Sequence, residues 1–188
     1  MLRLYVPEES EQLIETVRRL GYSRIADQPQ YISEYSIGAL PAAQLPSGFE
    51  LRSMANDNDI RHRSIVLARA FGNTEPSGAI LAALYEELQR APDYQADLDI
   101  YIVAPSGSHV AFCIAWYDRK NNVGSFEPVG TDPDYRQKGG GRTVILEGLR
   151  RLAALGAVRA YVGSGQPFYN RIGFALKYRR YWRQKTFY

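Results

Sequence analysis

Metal-binding and cross-linking side chains are scarce: one cysteine and two histidines in 188 residues. A single thiol, Cys113, cannot close an internal disulfide, which suits a reducing compartment. It lies inside the apolar run Val110-Ala111-Phe112-Cys113-Ile114-Ala115-Trp116, where a packed core thiol is expected rather than a nucleophile. With only His62 and His109 available, a histidine-rich metal site is not expected, and no metal is assigned. Long apolar runs are missing as well. None nears the roughly 20 residues of a membrane-spanning helix, and Glu8, Glu9 and Glu11 follow the opening residues too soon for a secretory leader. The expected setting is the cytoplasm, without a membrane partner.

What is present is the composition of a globular protein, 45% hydrophobic and 23% charged, on a chain long enough to bury a full core. The net charge of +3 conceals an asymmetry: residues 132–188 hold 12 Lys and Arg against Asp132, Asp134 and Glu147, while residues 1–45 run slightly acidic. A basic region of this kind suits a polyphosphate ligand or nucleic acid, and composition does not choose between them.

The stretch Arg136-Gln137-Lys138-Gly139-Gly140-Gly141-Arg142 tips the balance. It follows an expected strand over 123–131 and opens an expected helix over 141–155. Glycines reach positive φ and carry no Cβ, so their N–H groups can converge on an anion, and the helix beyond adds unpaired N–H groups and the positive end of its dipole. Arg136, Lys138 and Arg142 add positive charge to the same few residues. Two familiar phosphate loops do not fit. The nucleotide P-loop needs its Lys after the second Gly, whereas Lys138 precedes the glycines. A dinucleotide G-x-G-x-x-G starting at Gly139 would need glycine where Val144 stands.

The pattern that does fit is R/Q-x-x-G-x-G/A, filled by Arg136, Gly139 and Gly141. Val129-Gly130-Thr131-Asp132-Pro133-Asp134-Tyr135 stands before it, and Phe168-Tyr169-Asn170-Arg171-Ile172-Gly173-Phe174 follows after about one helix and one strand. With these flanks, residues 48–188 resemble the GNAT superfamily of acyl-CoA-dependent N-acyltransferases. The resemblance implies an α/β (α+β) fold, with a mixed, mostly antiparallel central sheet flanked by helices and splayed fourth and fifth strands. The order of signals agrees: a strand over 49–54, a helix from an Asp57-Asn58-Asp59 cap to about Phe71, a second helix over 79–90, and strands at 98–104, 109–118 and 123–131. After the long helix come a strand at 158–163, a short helix through Tyr169, and a closing hairpin from Phe174. Ile60, Ile65, Val66 and Ala70 are expected on the buried side of the first helix.

Residues 46–188 are thus read as the acyltransferase domain. Residues 1–45 read as strand, helix and extended chain plus a linker, and Arg19-Leu20-Gly21-Tyr22 echoes Arg171-Ile172-Gly173-Phe174. The segment resembles the tail of a second GNAT repeat without its own glycine loop, and its open strand edges need a partner surface.

The resemblance also assigns roles. Backbone groups of Val129, Gly130 and Thr131 would pair with the pantetheine arm of acetyl-CoA; those of Gln137, Lys138, Gly139, Gly140, Gly141 and Arg142, beside Arg136, would hold its pyrophosphate; Thr143 offers a hydroxyl. Tyr169 matches the acid that protonates the departing thiolate, and Glu127 the general base. Pro128, which lacks an N–H, suits a bulge on the fourth strand. The expected function is acetyl transfer from acetyl-CoA to a primary amine by direct attack. The expected acceptor is a small molecule rather than a protein, with a homodimer allowed. Two alternatives stay open: an acyl-CoA-binding regulatory module without turnover, and an RNA-associated factor using the Arg179–Arg183 region, although nucleic acid is the less favoured partner. The acceptor pocket is expected from the first two helices, the loop around 72–79 and the closing hairpin.

Overall fold

The computed structural model of the chain describes residues 1–25, 29–72 and 78–187, with backbone alone for 78–81. In chain order the elements are β1 (Leu2–Pro7), α1 (Glu11–Arg19), β2 (Ser23–Arg24), β3 (Gln30–Ser36), β4 (Glu50–Ser53), α2 (Met54–Asp57), α3 (Ile60–Ala70), α4 (Gly78–Gln89), β5 (Asp99–Val103), β6 (His109–Asp118), β7 (Val123–Thr131), α5 (Gly140–Ala154), β8 (Arg159–Val162), α6 (Pro167–Ile172) and β9 (Ala175–Lys185). This is the expected mixed α/β architecture with predominantly antiparallel strands. Most of the loop expected at 72–79 lies outside the described residues. Two compact units emerge, residues 36–160 and residues 1–35 with 161–188.

In the 36–160 unit, β7, β6, β5 and β4 pair in that order, each antiparallel to the next. Helix α3 packs against β6 and β7, and α5 against β5, β6 and β7. This is why β5 and β6 read as continuous apolar runs rather than as alternating strands: Ile100, Tyr101, Ile102 and the span from Val110 to Ala115 are all buried. On one face Phe112 and Tyr101 join Met54, Val66 and Tyr85. Cys113 is buried on the other, its thiol donating to the Val144 carbonyl at 3.2 Å, as a core thiol should.

Helix α3 starts where the cap residues put it, with the Asp59 carboxylate accepting from the His62 N–H at 3.0 Å. Its buried face differs from the expectation. Ile65 is 41% exposed, and Arg63 and Ser64 are buried instead. Arg63 turns inward because Asp99 on β5 waits there: Nε donates to Oδ1 at 3.0 Å, with both side chains fully buried. The guanidinium lies 3.8 Å from the Phe112 ring centroid, and Tyr85 and Tyr94 donate their hydroxyls to Asp99.

The other unit corrects the closing hairpin. Residues 175–185 form one continuous 11-residue strand, whose partners β1, β2 and β3 come from the N-terminal segment. The reason is local: no Gly, Pro, Asn or Asp interrupts Ala175–Lys185, so nothing turns the chain back. The open N-terminal edges find their partner in β9. Both halves of the repeated R-x-G-aromatic pattern end a helix in the same way. Gly21 has φ +82° and Gly173 φ +122°. Tyr22 donates to the Val17 carbonyl at 2.9 Å, and Phe174 to the Tyr169 carbonyl at 3.1 Å, each a bond across five residues that closes a Schellman-type end.

Candidate active site

Strand β7 leads into the site. Its ladder with β6 slips between Cys113 and Ala115: Cys113 opposes Val129, yet Ala115 opposes Phe126. One extra residue is therefore accommodated on β7, around a cis Glu127–Pro128 bond. Pro128 has no N–H to lose from a ladder there. The Glu127 carbonyl is taken up by the Trp116 indole, which donates to it at 2.7 Å. The Glu127 side chain is exposed. Beyond the bulge, Val129, Gly130 and Thr131 are half-buried opposite Cys113, Phe112 and Ala111. Gly130 is there by necessity, since a Cβ would lie 2.5 Å from the Phe112 ring and 2.7 Å from Ala70 Cβ.

The turn after β7 is built around Asp132. Its carboxylate accepts from the Asp134 N–H at 2.9 Å, capping a 3-10 turn over Pro133–Tyr135. Arg69, in the last turn of α3, grips the same carboxylate through Nε and, at 3.1 Å, through Nη2; Nη2 also reaches Asp134 at 2.7 Å. The Arg69 guanidinium beside Asp132 holds its carboxyl below the usual carboxylate range. Arg136 Nη2 donates to the Ala70 carbonyl at 3.3 Å, and Lys138 lies over the Tyr135 ring with its ammonium donating to the Asp134 carbonyl at 3.1 Å.

Gln137 and Gly139 then take left-handed backbone, φ +63° and +85°. Alternation of this kind turns successive N–H groups toward one concavity. Helix α5 begins at Gly140 with Gly139 as its N-cap and no side-chain cap, and the Thr143 N–H returns to the Gly139 carbonyl at 3.0 Å. The early N–H groups of α5 and its positive dipole end are thus left for an anion. Arg136, Gln137, Lys138, Gly139 and Arg142 are exposed and Gly140 half-buried, whereas Gly141 and Thr143 are buried. The Thr143 hydroxyl donates to the Gln44 carbonyl at 2.8 Å, tying the linker to the first turn of α5. Leu45 and Pro46 of that linker, with Phe49, Ile102, Tyr135 and Gly140, line a partly open cavity of only about 10 Å³, room for no more than a water.

Glu127 and all eleven proposed cofactor-binding positions therefore fall in one unit, on one strand–loop–helix run. Tyr169 belongs to the other unit. It sits on α6, 8% exposed, with its ring edge-on to Phe168 at 4.9 Å and to Phe174 at 5.8 Å. Sequence reasoning missed Arg69. The Asp132-Pro133 pair gives a local cap signal, but nothing near Arg69 in the sequence points to a partner 63 residues away. Among the described residues no group of three His, Cys, Asp or Glu side chains is arranged to hold a metal ion, and no helix is long and apolar enough to cross a membrane.

A mycothiol acetyltransferase of Actinosynnema mirum is 29% identical over 182 residues, covering 93% of this chain and 60% of the relative. A GCN5-related N-acetyltransferase from Sphaerobacter thermophilus superposes with a TM-score of 0.69 at 19% identity, over 97% of this chain and 58% of that one. The chain thus spans about three-fifths of the length of these two proteins. A GNAT family acetyltransferase from Brucella melitensis, solved in complex with acetyl-CoA, superposes with a TM-score of 0.55 at 18% identity, over 70% of this chain and 86% of that one. The profile of the acetyltransferase (GNAT) family matches residues 67–174, from the end of α3 through the glycine loop to Phe174, and the chain belongs to that family.

Proposed function

We propose that this protein is an N-acetyltransferase that moves an acetyl group from acetyl-CoA to the primary amine of a small molecule. The observation that carries the reading is the run from the β7 bulge into an uncapped helix through two left-handed residues, Gln137 and Gly139. The donor set suits a pyrophosphate: backbone N–H groups of 137–142, the α5 dipole, and the exposed cations Arg136, Lys138 and Arg142. The thioester of acetyl-CoA supplies the activated acyl group. Val129, Gly130 and Thr131 offer backbone groups to its pantetheine arm, and the bulge at Glu127–Pro128 breaks the strand where an acyl arm would lie.

Two side chains are assigned to proton movement. Tyr169 delivers a proton from its hydroxyl to the departing sulfur; a phenol near ~10 and a thiol near ~8.5 are close enough that positioning does most of the work. Glu127, exposed on β7, accepts the amine proton directly or through water. Since one relative is named a mycothiol acetyltransferase, small molecules of the mycothiol kind are the first acceptor class to screen.

The test is calorimetric titration with acetyl-CoA, CoA and ATP. Micromolar binding of both CoA species and not of ATP is expected, and absence of binding removes the reading. With an acceptor in hand, Tyr169→Phe is expected to lower turnover about a hundredfold, in the range of a general acid, with CoA affinity kept. Glu127→Gln with an unaltered pH–rate profile would put the base elsewhere.

A further inference from the structure

The C-terminal turn of α3 makes two separate ties to the loop that precedes the glycines. Arg69 spans the carboxylates of Asp132 and Asp134, and the carbonyl of the next residue, Ala70, accepts from Arg136, the first residue of the R-x-x-G-x-G pattern. The Asp132 side chain is 8% exposed against 74% for Asp134 and 46% for Arg69, so the prong on Asp132 is sheltered and carries the grip, while the one on Asp134 lies at the surface. It also solves an electrostatic problem. Asp132 and Asp134 lie within a few residues of a loop whose N–H groups and cations are set out for an anion, and unpaired they would repel it.

We propose that Arg69 is a positioning residue for the phosphate loop. By gripping Asp132 and Asp134 it orients the backbone of 136–142 and neutralises the two carboxylates beside the anion. This rests on the acetyl-CoA reading above. Arg69 itself touches no ligand in this account; it acts through the turn that Asp132 caps. A lysine is not equivalent, because one ammonium cannot reproduce the planar fork across two carboxylates.

The experiment compares Arg69→Met and Arg69→Lys with the parent in the full chain, each checked for folding by thermal unfolding. Calorimetry follows CoA; amide shifts of Val129–Thr131 follow pantetheine, the same arm without the nucleotide phosphates. For Arg69→Met, CoA affinity is expected to fall about tenfold or more, the weight of a charge-assisted pair, with the pantetheine response unchanged. Arg69→Lys should recover only part of the loss, and it carries the comparison alone if the Met variant does not fold. Adding Asp132→Asn and Asp134→Asn to Arg69→Met removes the stranded charges but not the lost grip, so affinity should return incompletely. A folded Arg69→Met protein with CoA affinity within twofold of the parent overturns the proposal. A parallel loss of CoA and pantetheine also overturns it, by reducing Arg69 to general support of the fold. Failure of the acetyl-CoA reading shows differently: the parent protein itself would ignore CoA.

Discussion

Gly139 holds φ at +85°, and a Cβ placed on it would meet nothing within 4 Å. Its requirement is conformational rather than steric, which separates it from Gly130, where neighbouring side chains leave no room. A β-branched residue at 139 would bear the left-handed strain, about 1–3 kcal/mol, or push the loop into another conformation. Gly139→Val is therefore expected to cost at least tenfold in CoA affinity while the melting temperature falls by only a few degrees; calorimetry and thermal unfolding of the same preparation check both halves. Arg63 belongs to this scale too. Read as a sequence, it is a charged residue on an amphipathic helix, and the expected inward position was Ile65. Arg63 is buried against Asp99 and the rings of Phe112 and Tyr85, while Tyr85 and Tyr94 donate to Asp99 in turn; its two Nη atoms are buried without a hydrogen-bond partner among the described residues, so the ion pair and the rings alone hold it there.

Among the elements, the linker before β4 does more than connect. Thr143 on α5 donates to the Gln44 carbonyl, and Leu45 and Pro46 pack by the start of that helix, so the linker straps the first turn of α5. A hydroxyl has one proton: it serves Gln44 or a phosphate, not both at once. Thr143→Val is expected to loosen the strap and lower stability by about 1 kcal/mol, with CoA affinity little changed. A tenfold loss of affinity at unchanged stability would instead give the hydroxyl to the ligand. Strand β9 shows the same dependence on distant partners. Nothing within residues 175–185 says that β1, β2 and β3 will pair with it, although the missing turn residues do say that it will not fold back on itself. Tyr5 stacks on Trp182 at 3.6 Å and Arg180 lies over Tyr5 at 4.1 Å, so this basic, aromatic run is engaged with its own sheet. That favours the structural reading of Arg179–Arg183 over a nucleic-acid surface.

At the scale of the whole molecule, the two histidines meet in the fold. His109 is buried, stacked on Tyr101 at 4.0 Å, with His62 5.5 Å away and Asp59 at 3.9 Å. Burial, against the pull of Asp59, pushes its pKa down from 6.5 to about 4. The folded chain therefore binds fewer protons here than the unfolded chain between those values, and stability rises with pH across that window. Global stability should fall as pH drops from about 6.5 to 4, by up to about 3 kcal/mol. Asp57, Asp59, Asp132 and Glu147, whose carboxyls are held below their usual range, add their losses at lower pH. Urea unfolding of the parent and of His109→Phe at pH 4.5 and 7 checks this: the variant keeps the ring stack and should flatten the slope.

Whatever depends on a few adjacent residues was legible in the sequence: the strand–glycine–helix run, the cap at Asp59, the Pro128 bulge, the matched helix ends at Gly21 and Gly173, and through them the family. Backbone conformation and capping are set by neighbours in the chain, so they leave a local mark. Only the tertiary structure decided which strands would complete β9, that Arg63 would turn inward, that Gln44 would meet Thr143 across 99 residues, and that Arg69 would reach Asp132 across 63. These pairings form between elements brought together by burial of apolar surface, and a charged or polar side chain carries no sequence signature of the partner it will find there.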